Sequence, residues 1–206
     1  EVLGIVGENG AGKSTLMKVL SGSYTNKEYE GEIWVNGEKQ SFGSVSDAKK
    51  VGIEMVYQEV NAMYEASVAE NIFVGNLPGK GWVDYKKLYK DTQDLLDQLG
   101  LQISPKTPAG ALNSGQLQLM SIVRAMAAHP KIMVLDEPST ALTDSEVDIL
   151  MNFLENLRKS GVSCIYISHK LEEIFRICDR VTIIRDGNVI TSGDISEFNQ
   201  ETLVQG

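Results

Sequence analysis

Apolar residues follow two rhythms along this chain. Short, nearly unbroken apolar runs occur at 2–6 (VLGIV), 132–135 (IMVL), 162–167 (VSCIYI) and 181–184 (VTII). Runs of that length and continuity predict strands buried on both faces of a parallel sheet. Residues 53–57 (IEMVY) read as a further strand that delivers Gln58, and residues 188–191 as a short one after the Asp186-Gly187 turn. Residues 32–35 and those from Glu38 onward flank Asn36-Gly37, which predicts a tight hairpin. Apolar positions at helical intervals fill Lys13 to Leu20, 84–99, Ser114 to about Ala128, 144–159 and 170–177, with a short helical stretch at Asp47 to Lys50. Strand and helix alternate except between 59 and 128, where the strand signal vanishes. The pattern predicts an α/β fold, with a mainly parallel sheet flanked by helices and an inserted helical subdomain. A core of residues 1–58 and 129–206 would enclose a helical insertion at 59–128.

Bulk properties narrow the chemistry. At 206 residues the chain can bury one sizeable core, and 42% apolar against 23% charged residues is ordinary globular composition. Lys and Arg number 19 against 28 acids, a net charge of −9, which disfavours nucleic acid or an anionic membrane surface as the main partner. Cys164 and Cys178 lie in apolar surroundings without a close His, and read as buried free thiols. His129, before Pro130, reads as a capping or surface residue. No apolar run is long enough to span a bilayer.

The first run leads into Gly7-Glu8-Asn9-Gly10-Ala11-Gly12-Lys13-Ser14, followed by Thr15, a match to G-x-x-x-x-G-K-[ST] between a strand and a helix. Glycines let successive backbone N–H groups turn inward onto phosphate oxygens, and the helix starting near Lys13 adds its positive pole. Lys13 would reach the β- and γ-phosphates of a nucleotide, and the Ser14 hydroxyl would help hold Mg²⁺. A second run, 132–135, ends in Asp136-Glu137-Pro138. In a parallel sheet, ligands bind beyond the carboxyl ends of the strands. The acids and the glycine loop therefore belong on one edge, with Asp136 placed to bind Mg²⁺ through water and Glu137 to polarise an attacking water.

The succession GENGAGKST, YQE, LNSGQ, MVLDEPSTAL and ISH resembles the ATPase domain of ABC transporters over essentially the whole chain. That resemblance implies a P-loop NTPase fold that binds ATP with Mg²⁺. It implies that Gln58 is the glutamine touching Mg²⁺ and water at the hinge of the helical lobe, and that His169 contacts the γ-phosphate. Leu112-Asn113-Ser114-Gly115-Gln116 resembles the family's LSGGQ signature, so Asn113, Ser114, Gly115 and Gln116 would cover the γ-phosphate held by a second ATPase domain, head to tail. Asn113 and Ser114 depart from the usual Ser and Gly. Thr143 stands where an Asp is frequent, unless Asp144 replaces it. The family's adenine-stacking aromatic and first strands would precede residue 1, so the chain reads as a segment of a longer protein.

The wording GENGAGKSTLMKVLSG, Tyr29-Glu30-Gly31-Glu32-Ile33, Glu70-Asn71-Ile72-Phe73 and Cys164-Ile165-Tyr166-Ile167-Ser168-His169-Lys170 is similar to simple-sugar importer ATPases handling pentoses and galactosides, xylose importers foremost. Those proteins carry two ATPase domains on one chain, and this segment resembles the first. The resemblance implies transmembrane permease subunits as partners, a periplasmic or extracellular sugar-binding protein indirectly, and the cytoplasmic face of the membrane as location. The alternatives are an ABC-type ATPase acting on DNA or ribosomes, or a non-catalytic nucleotide binder. Zinc-binding cysteines, long coiled coils and basic arms, which would favour the former, are not visible.

Overall fold

The computed structural model describes residues 1–200 and Leu203. A six-stranded sheet runs through it in the order β4 (Ile53–Val56), β5 (Ile132–Asp136), β6 (Ser163–Ile167), β1 (Val2–Val6), β7 (Arg180–Arg185) and β8 (Asn188–Asp194). All neighbours are parallel except β7 and β8, which pair antiparallel. A separate hairpin joins β2 (Ile33–Val35) to β3 (Glu38–Gln40). Asn36 and Gly37 at its tip both have positive φ, 52° and 78°, as a two-residue turn matched to the strand twist requires.

Alternation along the strands sends side chains into two apolar layers. Val2, Val6, Met133, Leu135, Cys164, Tyr166, Val181 and Ile183 face one layer. Ile5, Ile53, Val134, Ile167 and Ile184 face the other. The first layer is closed by α6 (Asp144–Lys159) and α7 (Leu171–Ile177), and by α3 (Val68–Ile72), α4 (Tyr85–Gln98) and α5 (Ser114–Ala127), which all lie between β4 and β5 in sequence. The second is closed by α1 (Lys13–Leu20), α2 (Val45–Lys50) and the hairpin. Covering on both faces is what the continuous apolar runs demand.

Local chemistry sets the element ends. Thr143 caps α6 reciprocally with Glu146, acids fill its first turn, and Arg158 and Lys159 its last, so the ends complement the helix dipole. The same device at Ser67 and Glu70 starts α3, which the sequence pattern does not predict. Five residues make too short a helix to stand alone, and burial of Val68, Ala69, Asn71 and Ile72 sustains it. α2 begins two residues before its expected start, because the Asp47 carboxylate gathers the Gly43 N–H and the Ser44 hydroxyl. β8 runs on to Asp194 rather than ending at 191, since it continues to pair with β7 past a register shift at Ile183 and Ile184.

Candidate functional site

Four adjacent strands, β4, β5, β6 and β1, end at one edge of the sheet. Val56 lies beside Leu135, Asp136 beside Ile167, and Ile167 beside Ile5. The residues just beyond those ends are Gln58, the pair Asp136 and Glu137, His169, and the glycine loop from Gly7. Strand register alone thus brings together four stretches separated in sequence.

The loop is tightly wrapped. Gly10 and Gly12 have φ of 88° and 101°, a region that L side chains rarely occupy. A β-carbon on Gly7 would stand 2.1 Å from the Ile184 carbonyl oxygen, so the loop passes against β7 without room for a side chain. The Ala11 carbonyl accepts from Gly187 N–H, which ties the loop to the β7–β8 turn. Glu8, Asn9 and Gly10 are exposed, as are Ser14 and Thr15 in the first turn of α1. Lys13 is 6% exposed, and its ammonium donates to the Gly7 and Glu8 carbonyl oxygens at 2.7 and 2.9 Å. The cation is therefore held at the loop itself.

Across from it, the half-buried Asp136 carboxyl has its pKa pushed up by burial and by the neighbouring Glu137, with Lys13 pulling the other way. Glu137 sits at a left-handed φ of 46°, its N–H donating to the Ile167 carbonyl. Its carboxylate accepts from Gln58 Nε2 at 3.3 Å, and His169 Nδ1 lies 3.4 Å from its other oxygen. Gln58, Glu137 and His169 thus converge.

Asn113–Gln116 stand at the start of α5. No hydrogen bond among the described residues links them to the glycine loop. They open α5, where the Asn113 side chain accepts from Gln116 N–H and Gln116 Oε1 accepts from Asn113 N–H. Asn113 thus keeps the capping role that a Ser would fill. Gly115 packs against Glu146 of α6, and a β-carbon there would be 2.4 Å from Oε2. Thr143 is spent on capping α6.

The remaining sequence expectations fall outside this edge. Cys164 and Cys178 are buried free thiols whose pKa values burial raises to about 11 and about 12. His129 is exposed just past α5 with φ 52°. Two contributors were not singled out by spacing: Glu146, and Glu173 of α7, which receives hydroxyl groups from the loops after β5 and β6. An acid beside Ile174 on the buried face of a short helix was the available signal.

Residues 1–140 match the family model described as ABC transporter. The chain belongs to the ABC transporter family. It is 47% identical over 99% of its length to the xylose import ATP-binding protein XylG of Moorella thermoacetica. It is 44% identical over 99% to the galactose/methyl galactoside import ATP-binding protein MglA 1 of Photobacterium profundum, and 42% over its full length to the ribose import ATP-binding protein RbsA of Shouchella clausii. In each case it spans 41% of the relative's length. Among solved structures, a nucleotide-free ATP-binding cassette from an ABC transporter superposes with a TM-score of 0.84 at 24% identity, covering 100% of this chain and 85% of the other. CbiO1 from Clostridium perfringens, part of the cbiONQ ABC transporter complex, gives 0.81 at 28%, covering 99% and 81%. The α/β fold expected from the apolar rhythm is therefore that of the family's ATP-binding cassettes. Among the described residues no helix is long and apolar enough to cross a membrane.

Proposed function

We propose that this chain is the ATP-binding and ATP-hydrolysing part of a sugar importer, the first of two such parts in the complete protein. The observation that carries the reading is the position of Glu137. Its carboxylate lies within 3.4 Å of both Gln58 and His169, on the sheet edge that also bears the Lys13 loop.

Each residue then has a role. The backbone N–H groups of Gly7–Thr15 and the N-terminus of α1 receive the phosphates of ATP, and Lys13 reaches the β- and γ-phosphates. Ser14 and Gln58 would hold Mg²⁺, with Asp136 reaching it through water. The donors fit that ion, being hard oxygens from a hydroxyl, a carboxylate and a carboxamide. No cluster of three or more His, Cys, Asp or Glu suited to a metal occurs among the described residues. When bound, Mg²⁺ neutralises charge on the phosphate oxygens. Glu137 takes a proton from the attacking water, Gln58 orients that water, and His169 donates to the γ-phosphate.

Asn113, Ser114, Gly115 and Gln116 act on a second ATPase domain rather than on this chain's own nucleotide. That role is the one implied by the likeness of Leu112–Gln116 to the LSGGQ signature of the family to which the chain belongs. Residues 59–128 form the helical subdomain and residues 1–58 with 129–206 the core, with Gln58 at their junction. A cleft of about 530 Å³ beside that junction, lined in part by Lys49, Glu54, Tyr57, Val74 and Arg124, is where we place the contact with a permease at the cytoplasmic face of the membrane. A sugar-binding protein acts through that permease. The similarity to xylose, ribose and galactoside import proteins supports a simple sugar as cargo.

The test is Glu137→Gln in the protein that carries this chain. Phosphate release should fall by roughly 100-fold or more while ATP affinity is retained. Unchanged hydrolysis would remove Glu137 from the role of base.

A further inference from the structure

A polar knot lies inside the apolar layer beneath α7. Glu173 is 6% exposed, and a single oxygen of its carboxylate, Oε2, accepts three hydroxyl hydrogen bonds. They come from Tyr166 at 2.7 Å, Ser139 at 2.8 Å and Ser168 at 3.0 Å. The Lys170 ammonium stands 3.3 Å from Oε1 and donates at 3.4 Å to the Ser139 carbonyl. Ser168 in turn accepts the Lys170 N–H at 3.0 Å. Ser139, Tyr166 and Ser168 are each at most 2% exposed.

The donors come from places that matter. Ser139 is two residues beyond Glu137, on the loop after β5. Tyr166 is in β6. Ser168 immediately precedes His169. A hydroxyl has one proton to give, so directing all three at one oxygen fixes three rotors and, with them, two loops. A buried carboxylate is a poor device for stability alone, since apolar packing of the same volume often serves as well or better. What it supplies is relative position.

We infer that Glu173 is a positioning residue that locks the loop bearing Glu137 to the loop bearing His169, an inference that rests on the ATPase reading above for its catalytic consequence. The Glu137 N–H bond to the Ile167 carbonyl joins the two loops at their roots, but the Glu137 and His169 side chains touch only at 3.4 Å, too long a contact to fix their relation by itself. Glu173 does so from behind, without reaching the reacting atoms.

The experiment compares wild type with Glu173→Gln and with Ser139→Ala/Ser168→Ala, in the protein that carries this chain. Steady-state phosphate release, equilibrium ATP affinity and amide hydrogen exchange are followed well below the melting temperature. Glu173→Gln should lower kcat by about 10- to 100-fold, the scale of a misplaced catalytic group. ATP affinity should stay within roughly threefold, because the Gly7–Thr15 loop is untouched. Exchange should rise together in 137–141 and 167–170. The serine pair should lower kcat likewise, and adding Glu173→Gln to it should give little further loss, as members of one unit do. A variant that melts lower yet keeps its kcat and its exchange in both loops would overturn the inference and leave Glu173 a brace. A wild type that releases no phosphate would fail the ATPase reading instead. The exchange comparison then decides alone: both loops loosening supports the coupling, and loosening confined to α7 refutes it.

Discussion

At Gly115 an added methyl carbon would stand 2.4 Å from Glu146 Oε2 and 2.8 Å from its carboxyl carbon. The obstacle is a side-chain end, so it can move, but only by abandoning the Thr143 N–H and hydroxyl that it holds at 2.9 Å. In Gly115→Ala, loss of that cap costs about 1 kcal/mol, and the better helix propensity of Ala returns about as much. Melting should therefore stay nearly unchanged while phosphate release falls, because the start of α5 has been re-aimed. Gly7→Ala should behave differently. Its obstacle is the Ile184 backbone oxygen at 2.1 Å, which has no rotamer to offer. Both thermal stability and ATP affinity should drop, by more than about 2 kcal/mol in stability. Glu173 yields a prediction in pH. Burial works to raise its pKa, but the hydroxyls of Ser139, Tyr166 and Ser168 and the Lys170 ammonium prevail, leaving it below the ordinary 4.5. The native state then binds this proton less readily than the unfolded chain. Its stabilising contribution is complete above about pH 4.5 and is lost as pH falls through the lower native value. Urea midpoints should separate wild type from Glu173→Gln most widely near neutrality and draw together as pH falls below about 4.5.

Among the elements, α6 shows how a cap reports itself. Thr143→Ala should destabilise the fold by about 1 kcal/mol, and Thr143→Asp, which can still cap, should stay close to wild type in chemical denaturation. Four turns of apolar periodicity over 144–159 made α6 legible in sequence, and the structure opens it at Thr143-x-x-Glu146. α3 opens in the same way at Ser67-x-x-Glu70, but five residues carry too little periodicity to register. The strands were legible because burial on both faces leaves continuous apolar runs. The glycine loop and the acidic pair were legible because their chemistry is contiguous in the chain. The hydroxyl knot was not, because Ser139 and Glu173 are 34 positions apart and meet only once β5, β6 and α7 have packed. Nor was the contact between Gly115 and Glu146, which links two helix starts from different parts of the chain.

For the molecule as a whole, the helices inserted between β4 and β5 do not build a core of their own. Leu96, Leu119 and Ile122 belong to the same apolar cluster as Met133, Leu135 and Tyr166 of the sheet. Leu119→Ala should cost about 2–5 kcal/mol, and hydrogen exchange should accelerate in β5 as well as in α5, a spread that two independent cores would not give. Glu137 shapes a different property of the whole. Its left-handed backbone would suit asparagine or glycine better than a long acidic side chain, and Asp136 beside it would be relieved of a like charge. With Glu137 as the base proposed above, heat tolerance and turnover would pull against each other at one codon. A library of position-137 variants sorted only for survival on warming should enrich Asn and Gly, and the survivors should be idle as motors.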